Sequence, residues 1–599
     1  MLNQNTPKAA ARRTALSLIA TFWLGQLSHA SANETNAGAS PTGNPDPDQI
    51  WCQKQKDENA LLQKFGGAMF ANPSEISSRD GVLRYHLIVD YSNNIVDGCQ
   101  ATLRSYNYQL VGQTLRAKPG DTLKIKLINN LPISASEKHP QQPPPNQHSG
   151  QFSFNVTNLH THGLHVSPRN KGDNVFIEIP PQDEEDYEIK IPENHVAGTF
   201  WYHAHLHGAT AIQVSSGMAG ALIISSDQGL DAVPEIRAAK DQVLMVQQFV
   251  VDKHGRLEDF DKSFPSGDLN PSQTLHETIN GQLFPTIKMR PGEIQRWRLV
   301  HAGIQENIVL ALDGHVLHEI AADGIPLGRL VQWTADQPLL LAPGYRSDVL
   351  VKAAPLPNGE THHEYFLRDL RAAPQFSLQA ESKARALATS LGLSRSDPVF
   401  NRKLSESVEL TEFLAKPPQI IARVVVEGDP VDMKLPADLS SVAPSGDLRD
   451  IKDDELKGEV QKISFQRDQR VCYPSGECDN QTCQVGTPQC SSHYMIDGKI
   501  FVPSPKRFLE VGKASKWILT KDGLEPHIFH IHTNPFQVKR REPDGQDHTV
   551  WKDTILVNNS QLVELRSRYP DFWGNIVLHC HILGHEDVGM MQSVELKRE

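Results

Sequence analysis

Three stretches of the chain repeat one alternation of apolar and polar positions. Asn107-Tyr108-Gln109-Leu110 is followed by Pro119-Gly120-Asp121 and then by Leu123-Lys124-Ile125-Lys126-Leu127. Asn280-Gly281-Gln282-Leu283 leads to Pro291-Gly292-Glu293 and Trp297-Arg298-Leu299, and Asp497-Gly498-Lys499-Ile500 leads to Val511-Gly512-Lys513 and Trp517-Ile518-Leu519. Each copy predicts a tight turn, a short strand, a second glycine turn and a strand whose side chains alternate between two faces. Near the C-terminus the apolar run from Ile576 to His581 predicts a further strand. Three copies imply three related all-β domains, each a Greek-key sandwich or barrel.

The repeat sets the expected boundaries. The first domain runs from Gly81 to Ser226, the second from Gln242 to Ala354, and the third over residues 416–599. Residues 355–415 read as an interdomain connection, in which the Ala-, Leu- and Ser-rich stretch 372–413 has the composition of a short helix. Residues 33–80 form a polar extension with no assigned function. The 599 residues, with Gly 40, Pro 40 and few aromatics, fit a strand-and-turn protein of two to four domains.

Residues 1–32 predict an export signal. Lys8, Arg12 and Arg13 precede an apolar core from Ala15 to Leu27, and Ala30-Ser31-Ala32 suits cleavage. That core is too short for a permanent membrane anchor. Arg12-Arg13 leaves both the general secretory and the twin-arginine routes open, so the mature protein is expected in the periplasm or secreted. Removing this leader, which carries no acidic residue, takes the formal charge from −12 to −15. An acidic surface argues against nucleic-acid partners. Six cysteines, Cys52, Cys99, Cys472, Cys478, Cys483 and Cys490, are expected to form disulfides in an oxidising compartment. No Cys-x-x-Cys spacing among them suggests zinc.

The seventh, Cys580, belongs to a different chemistry. Residues 579–591 read His-Cys-His-Ile-Leu-Gly-His-Glu-Asp-Val-Gly-Met-Met. Cys580, His585 and Met590 supply a thiolate, an imidazole and a thioether, most of a blue-copper site. On a strand, Cys580 faces one side while His579 and His581 face the other. Three more stretches carry histidines at ligand spacing: His160-Thr161-His162, His203-Ala204-His205 and His527-Ile528-Phe529-His530-Ile531-His532. A His-x-His pair on a strand puts both imidazoles on one face. His530 and His532 therefore share a face, and His527 is left to complete the site of Cys580.

In this order and spacing, the four stretches closely resemble the multicopper oxidases, the family of laccases, ascorbate oxidase and bacterial metallo-oxidases. Gly198-Thr199-Phe200-Trp201-Tyr202-His203 and Gly217-Met218-Ala219-Gly220 resemble the first-domain signature. The resemblance implies three cupredoxin-like domains and four coppers per chain. It implies a type 1 copper on His527, Cys580 and His585 with Met590 axial, and a type 2 copper on His160 and His530. His162, His203, His205, His532, His579 and His581 would hold the type 3 pair. One departure is Ile528, where the family often has proline.

The implied activity couples one-electron oxidation of phenols or aromatic amines to reduction of dioxygen to water, in a monomer. The alternative donor is a metal ion, Cu(I), Fe(II) or Mn(II), and a copper electron-transfer protein without catalysis is more remote. Asp173 and Glu586 resemble family carboxylates that supply protons. Asp553 and Asp587 are alternatives for shaping the substrate face near the type 1 copper. His315 and His318 read as structural, and His165, His195 and His207 fall outside the pattern.

Overall fold

The computed structural model describes residues 68–598, apart from 97–98, 134–153, 252–254, 256, 258–273, 371–418, 445, 457–459, 473–489, 523–524 and 559–561. The expected leader, the expected helix in 372–413 and the side chains of the six cysteines expected to form disulfides lie outside the described residues. Strands dominate, and the α-helices among the described residues have only five or six residues each.

The repeated turn has one physical basis in all three copies. Asn107 and Tyr108, Asn280 and Gly281, and Asp497 and Gly498 all have positive φ, the signature of a tight hairpin turn that favours Asn, Asp and Gly. The first residue of each turn also reaches back to a neighbouring strand. Asn107 Oδ1 accepts the N–H of Ile88, Asn280 Oδ1 that of Met245, and Asp497 Oδ1 that of Ser464. A side-chain oxygen thus pins the turn to the sheet it leaves.

After each turn the chain crosses to a second sheet and returns. The returning strands Thr122–Asn129, Ile294–Ala302 and Ala514–Lys521 lie parallel to Val82–Val96, Lys240–Val251 and Gln461–Cys472 respectively. The crossing strands Gly112–Ala117, Thr286–Met289 and Arg507–Glu510 pair instead with closing strands of the opposite sheet, Ala219–Ile224, Gln419–Glu427 and Met591–Lys597. Antiparallel neighbours in space joined by parallel crossings make three Greek-key sandwiches of six sheets. In the first, Leu83, Tyr85, Leu123 and Ile125 of one sheet pack against Leu115, Phe200 and Leu222 of the other, all buried.

The second sandwich extends beyond its expected limit at Ala354. His362–Asp369 and Gln419–Glu427 pair with each other and complete its second sheet. They belong there because Gln419–Glu427 closes this sandwich as Ala219–Ile224 and Met591–Lys597 close the other two. The segment read as a connection, residues 355–415, therefore contains one strand of this sheet, His362–Asp369, and the expected start of the third domain at 416 falls before another, Gln419–Glu427.

The same correspondence explains why the second sandwich carries no histidine cluster among the described residues. In the first, His160 pairs with His203 across antiparallel strands, and in the third His530 pairs with His579. At the matching place in the second, Leu310 pairs with Asp369 and Leu312 with Leu367. Leu310, Leu312 and Leu367 fill the core there.

Candidate metal centre

Two clusters of metal-ligating side chains share the strand Gly574–Cys580. Its partner His527–Ile531 aligns Phe529 with Cys580 and His530 with His579. Residues opposite one another point to the same face, and successive residues to opposite faces. Cys580 and His527 therefore open into one cluster, and His530 and His579 into the other.

The first cluster is a pocket inside the third sandwich. Cys580 Sγ lies 3.8 Å from His527 Nδ1 and 3.8 Å from His585 Nδ1, and all three residues are buried. His585 rides on the short helix Leu583–Asp587 directly after the strand. Met590 packs in the same buried core as Cys580, whereas Met591 packs with Phe501 and Val577. The strand pattern thus separates two adjacent methionines. Tyr494 stacks on the His585 ring at 3.8 Å and Phe465 on the His527 ring at 5.3 Å. The Tyr494 hydroxyl donates to Glu525 at 2.9 Å, and Arg467 pairs with the same carboxylate.

The second cluster is a chamber between the first and third sandwiches. His160, His162, His203, His205, His530, His532, His579 and His581 meet there, each at most 2% exposed. His205 Nε2 stands 3.1 Å from His579 Nε2 and 3.2 Å from His532 Nε2. The His160 ring stacks on His532 at 3.8 Å, and that of His162 on His530 at 3.9 Å. His581 closes the group, its ring 5.0 Å from His162 and 5.8 Å from His203.

One nitrogen of several of these rings is anchored outward. His160 Nδ1 lies 3.0 Å from Asp173, His203 Nδ1 2.8 Å from the Ala204 carbonyl, and His530 Nδ1 2.8 Å from the Asp553 carbonyl. His579 Nδ1 lies 3.1 Å from both the Cys580 carbonyl and Glu586 Oε2. The inward nitrogens are left over: His160 Nε2, His162 Nδ1, His203 Nε2 and His530 Nε2 have no hydrogen-bond partner among the described residues. Buried polar atoms are rarely left so. Burial pushes His160, His162, His203, His532 and His581 well below the ordinary imidazole value, His205 to about 4 and His530 to about 3. Neutral rings held by outward hydrogen bonds, with lone pairs converging, are what a metal ion requires. The imidazole and thiolate donors suit copper.

The family models agree with this geometry. Three models, each described as multicopper oxidase, match residues 152–229, 198–380 and 482–599, together more than half of the chain.

The chain belongs to the multicopper oxidase family.

A multicopper oxidase of Staphylococcus aureus is 24% identical over 510 residues, spanning 82% of this chain and 83% of the relative. A laccase of Bacillus stratosphericus is 23% identical, spanning 82% of this chain and 90% of the relative. In structure, the chain resembles the multicopper oxidase of Campylobacter jejuni, described as a metallo-oxidase, with a TM-score of 0.63 at 20% identity, over 90% of this chain and 97% of that one. The domains of this multicopper oxidase are cupredoxin-like β-sandwiches, and the protein is an oxidoreductase. Members of the family use copper, dioxygen and a reduced substrate such as a metal ion or a phenol.

Within the multicopper oxidase, the two carboxylates singled out from the sequence both touch chamber histidines. Asp173 receives the Thr161 N–H at 2.8 Å besides contacting His160, and burial pushes its carboxyl up to about 7. Glu586 is wholly buried; burial raises its pKa, but His205 and His579 outweigh this and hold it well below the carboxylate range. The Thr210 hydroxyl lies 3.1 Å from it. Asp553 and Asp587 do not shape a substrate face. Asp553 is buried against His162 and Arg346, and Asp587 accepts the N–H groups of Gly208, Thr210 and Ala211. His315 hydrogen-bonds to the Asp313 carbonyl and His318 to that of Leu350, as structural histidines do. His165 bridges the Thr533 carbonyl and Asp571. Tyr494, Phe465 and Arg346 carry no spacing signal, and only the folded chain brings them to the site.

Proposed function

We propose that this multicopper oxidase is laccase-like: it takes single electrons from phenols or aromatic amines at the Cys580 pocket and delivers them to dioxygen in the histidine chamber. In this reading the pocket would hold type 1 copper on His527, Cys580 and His585, with the Met590 thioether as a further donor. His160 and His530 hold type 2 copper, and the other six chamber histidines the type 3 pair. The observation that carries the reading is the joint at Cys580. Its sulfur opens into the pocket while His579 and His581, its covalent neighbours, open into the chamber.

Copper supplies one-electron acceptance in the pocket and dioxygen binding and reduction in the chamber. The protein supplies the rest. Asp173 stands at the chamber wall beside His160 Nδ1 as a proton donor, and Glu586, ionised beside His579 Nδ1, is placed to accept and pass on a proton, where water formation needs them. Burial of all eight imidazoles excludes bulk water from a site where partly reduced oxygen must not escape.

Nine methionines spread along the chain leave no methionine-rich insert to gather cuprous ions, which supports an organic donor. A reduced metal ion is the second reading. It is favoured by Glu525, a carboxylate bound to the tyrosine that stacks on His585. A panel of phenols, aromatic amines, Fe(II), Cu(I) and Mn(II), compared by kcat/KM in one buffer, decides between them. Organic donors should lead, and a metal ion ahead by orders of magnitude overturns the laccase-like reading. The leader at 1–32 supports export, with N-terminal sequencing of the mature protein expected to begin near Asn33.

A further inference from the structure

All eight chamber histidines come from the first and third sandwiches, but two of them, His162 and His530, are tied to the second through Asp553. Asp553 Oδ1 lies 3.1 Å from His162 Nε2, 2.8 Å from Arg346 Nη1 and 2.7 Å from the Thr554 hydroxyl that donates to it. Its Oδ2 is held by Arg346 Nη2. Its backbone carbonyl accepts from His530 Nδ1. One residue therefore anchors a histidine of the first sandwich through its carboxylate and a histidine of the third through its carbonyl.

The anchor is itself gripped from the second sandwich. Arg346 begins the strand Arg346–Lys352 and is wholly buried. Its guanidinium also donates to the Gly344 and Asp323 carbonyls, at 3.0 Å each. Asp323 takes the Arg346 N–H on one oxygen and lies 3.3 Å from the N–H groups of Asp553 and Thr554 with the other, where Lys552 also pairs with it. Side chain and backbone of Asp553 are thus both fixed by second-sandwich residues.

This contact sets a tautomer. His160, His203 and His530 are tied outward through Nδ1 and leave Nε2 free, whereas His162 is tied through Nε2 and leaves Nδ1 free. A carboxylate can only accept, so it holds the proton on His162 Nε2 and keeps the Nδ1 lone pair facing inward. Glycine at 163 leaves the space: a Cβ there would collide with the Arg346 guanidinium and the Asp553 carboxylate.

We propose that Arg346 and Asp553 are positioning residues through which the second sandwich governs metal seating at His162 and His530. The inference rests on the reading of the chamber as a copper site. Outer partners of metal-bound histidines alter metal affinity on the order of 10–100-fold.

The test measures copper per chain, the type 2 electron paramagnetic resonance signal and the blue absorption of the pocket. It compares wild type with Arg346→Lys and with the double variant Arg346→Met/Asp553→Leu. The double variant removes both buried charges together, so neither is left unpaired. It is expected to keep the blue absorption and to bind chamber copper on the order of 10–100-fold more weakly, with the type 2 signal lost or altered. Arg346→Lys keeps the charge but not the two-point grip, and is expected to fall between the two. Wild-type copper content, affinity and type 2 signal in the double variant overturn the inference. So does full recovery in Arg346→Lys, which would make charge alone sufficient. A wild-type protein that loads the pocket but never the chamber overturns the copper-site reading itself.

Discussion

The pocket and the chamber differ in how many parts of the protein are needed to make them. Every donor of the pocket, from His527 to Met590, lies in one sandwich, on two paired strands, the helix that follows and the turn after it. Its inner wall is aromatic, with Tyr494 and Phe465 against the imidazoles. The chamber takes four histidines from each of two sandwiches, and three carboxylates touch its rings. A pocket built locally is complete once the third sandwich folds. A chamber built at an interface exists only after docking, so disturbing the interface should empty the chamber before the pocket.

Cys580→Ser divides the two most sharply. It should abolish blue absorption and donor oxidation while three coppers remain in the chamber, as read by absorbance, oxygen uptake and metal analysis. Next in size is Glu586→Gln, which leaves the pocket untouched. Turnover should fall about 10²–10⁴-fold, while the donor bleaches the blue colour at the wild-type rate when dioxygen is excluded. Slowed bleaching would place Glu586 on the electron path instead.

Gly163→Ala presses a methyl group into the Arg346–Asp553 pair from the chamber wall. It should cost about 1–3 kcal/mol of stability and lower chamber copper, with the blue band unchanged. Equal loss of pocket and chamber copper would show that the two do not fold independently. The smallest effect belongs to Tyr494→Phe, which keeps the ring on His585 and removes the hydrogen bond to Glu525. It should cost about 0.5–1.5 kcal/mol and change KM for the donor without changing chamber copper.

Much of this was legible before the fold was known, and for a physical reason. The period of a strand is two, so the odd interval from His527 to His530 separated them by face, and the even interval from His530 to His532 joined them. The three turns were legible because positive φ at paired positions selects Asn, Asp and Gly. The far edge of the second sandwich was not. His362–Asp369 and Gln419–Glu427 are brought together by tertiary pairing, and neither carries a turn or ligand that marks it. Nor was the role of Asp553 legible, because its partner Arg346 lies 207 residues away and two charges in a sequence do not announce a pair. His162 could be placed in the chamber from spacing alone, but which of its nitrogens faces inward depends on that distant pair.

The central claim is that one-electron donors enter at Cys580 and that the chamber completes the reduction of dioxygen. The ratio of donor oxidised to dioxygen consumed, measured with simultaneous assay for hydrogen peroxide, tests it most directly. Four one-electron donors should be oxidised per dioxygen, with no peroxide, if the buried chamber holds dioxygen until water is formed. Two donors per dioxygen with matching peroxide would contradict it.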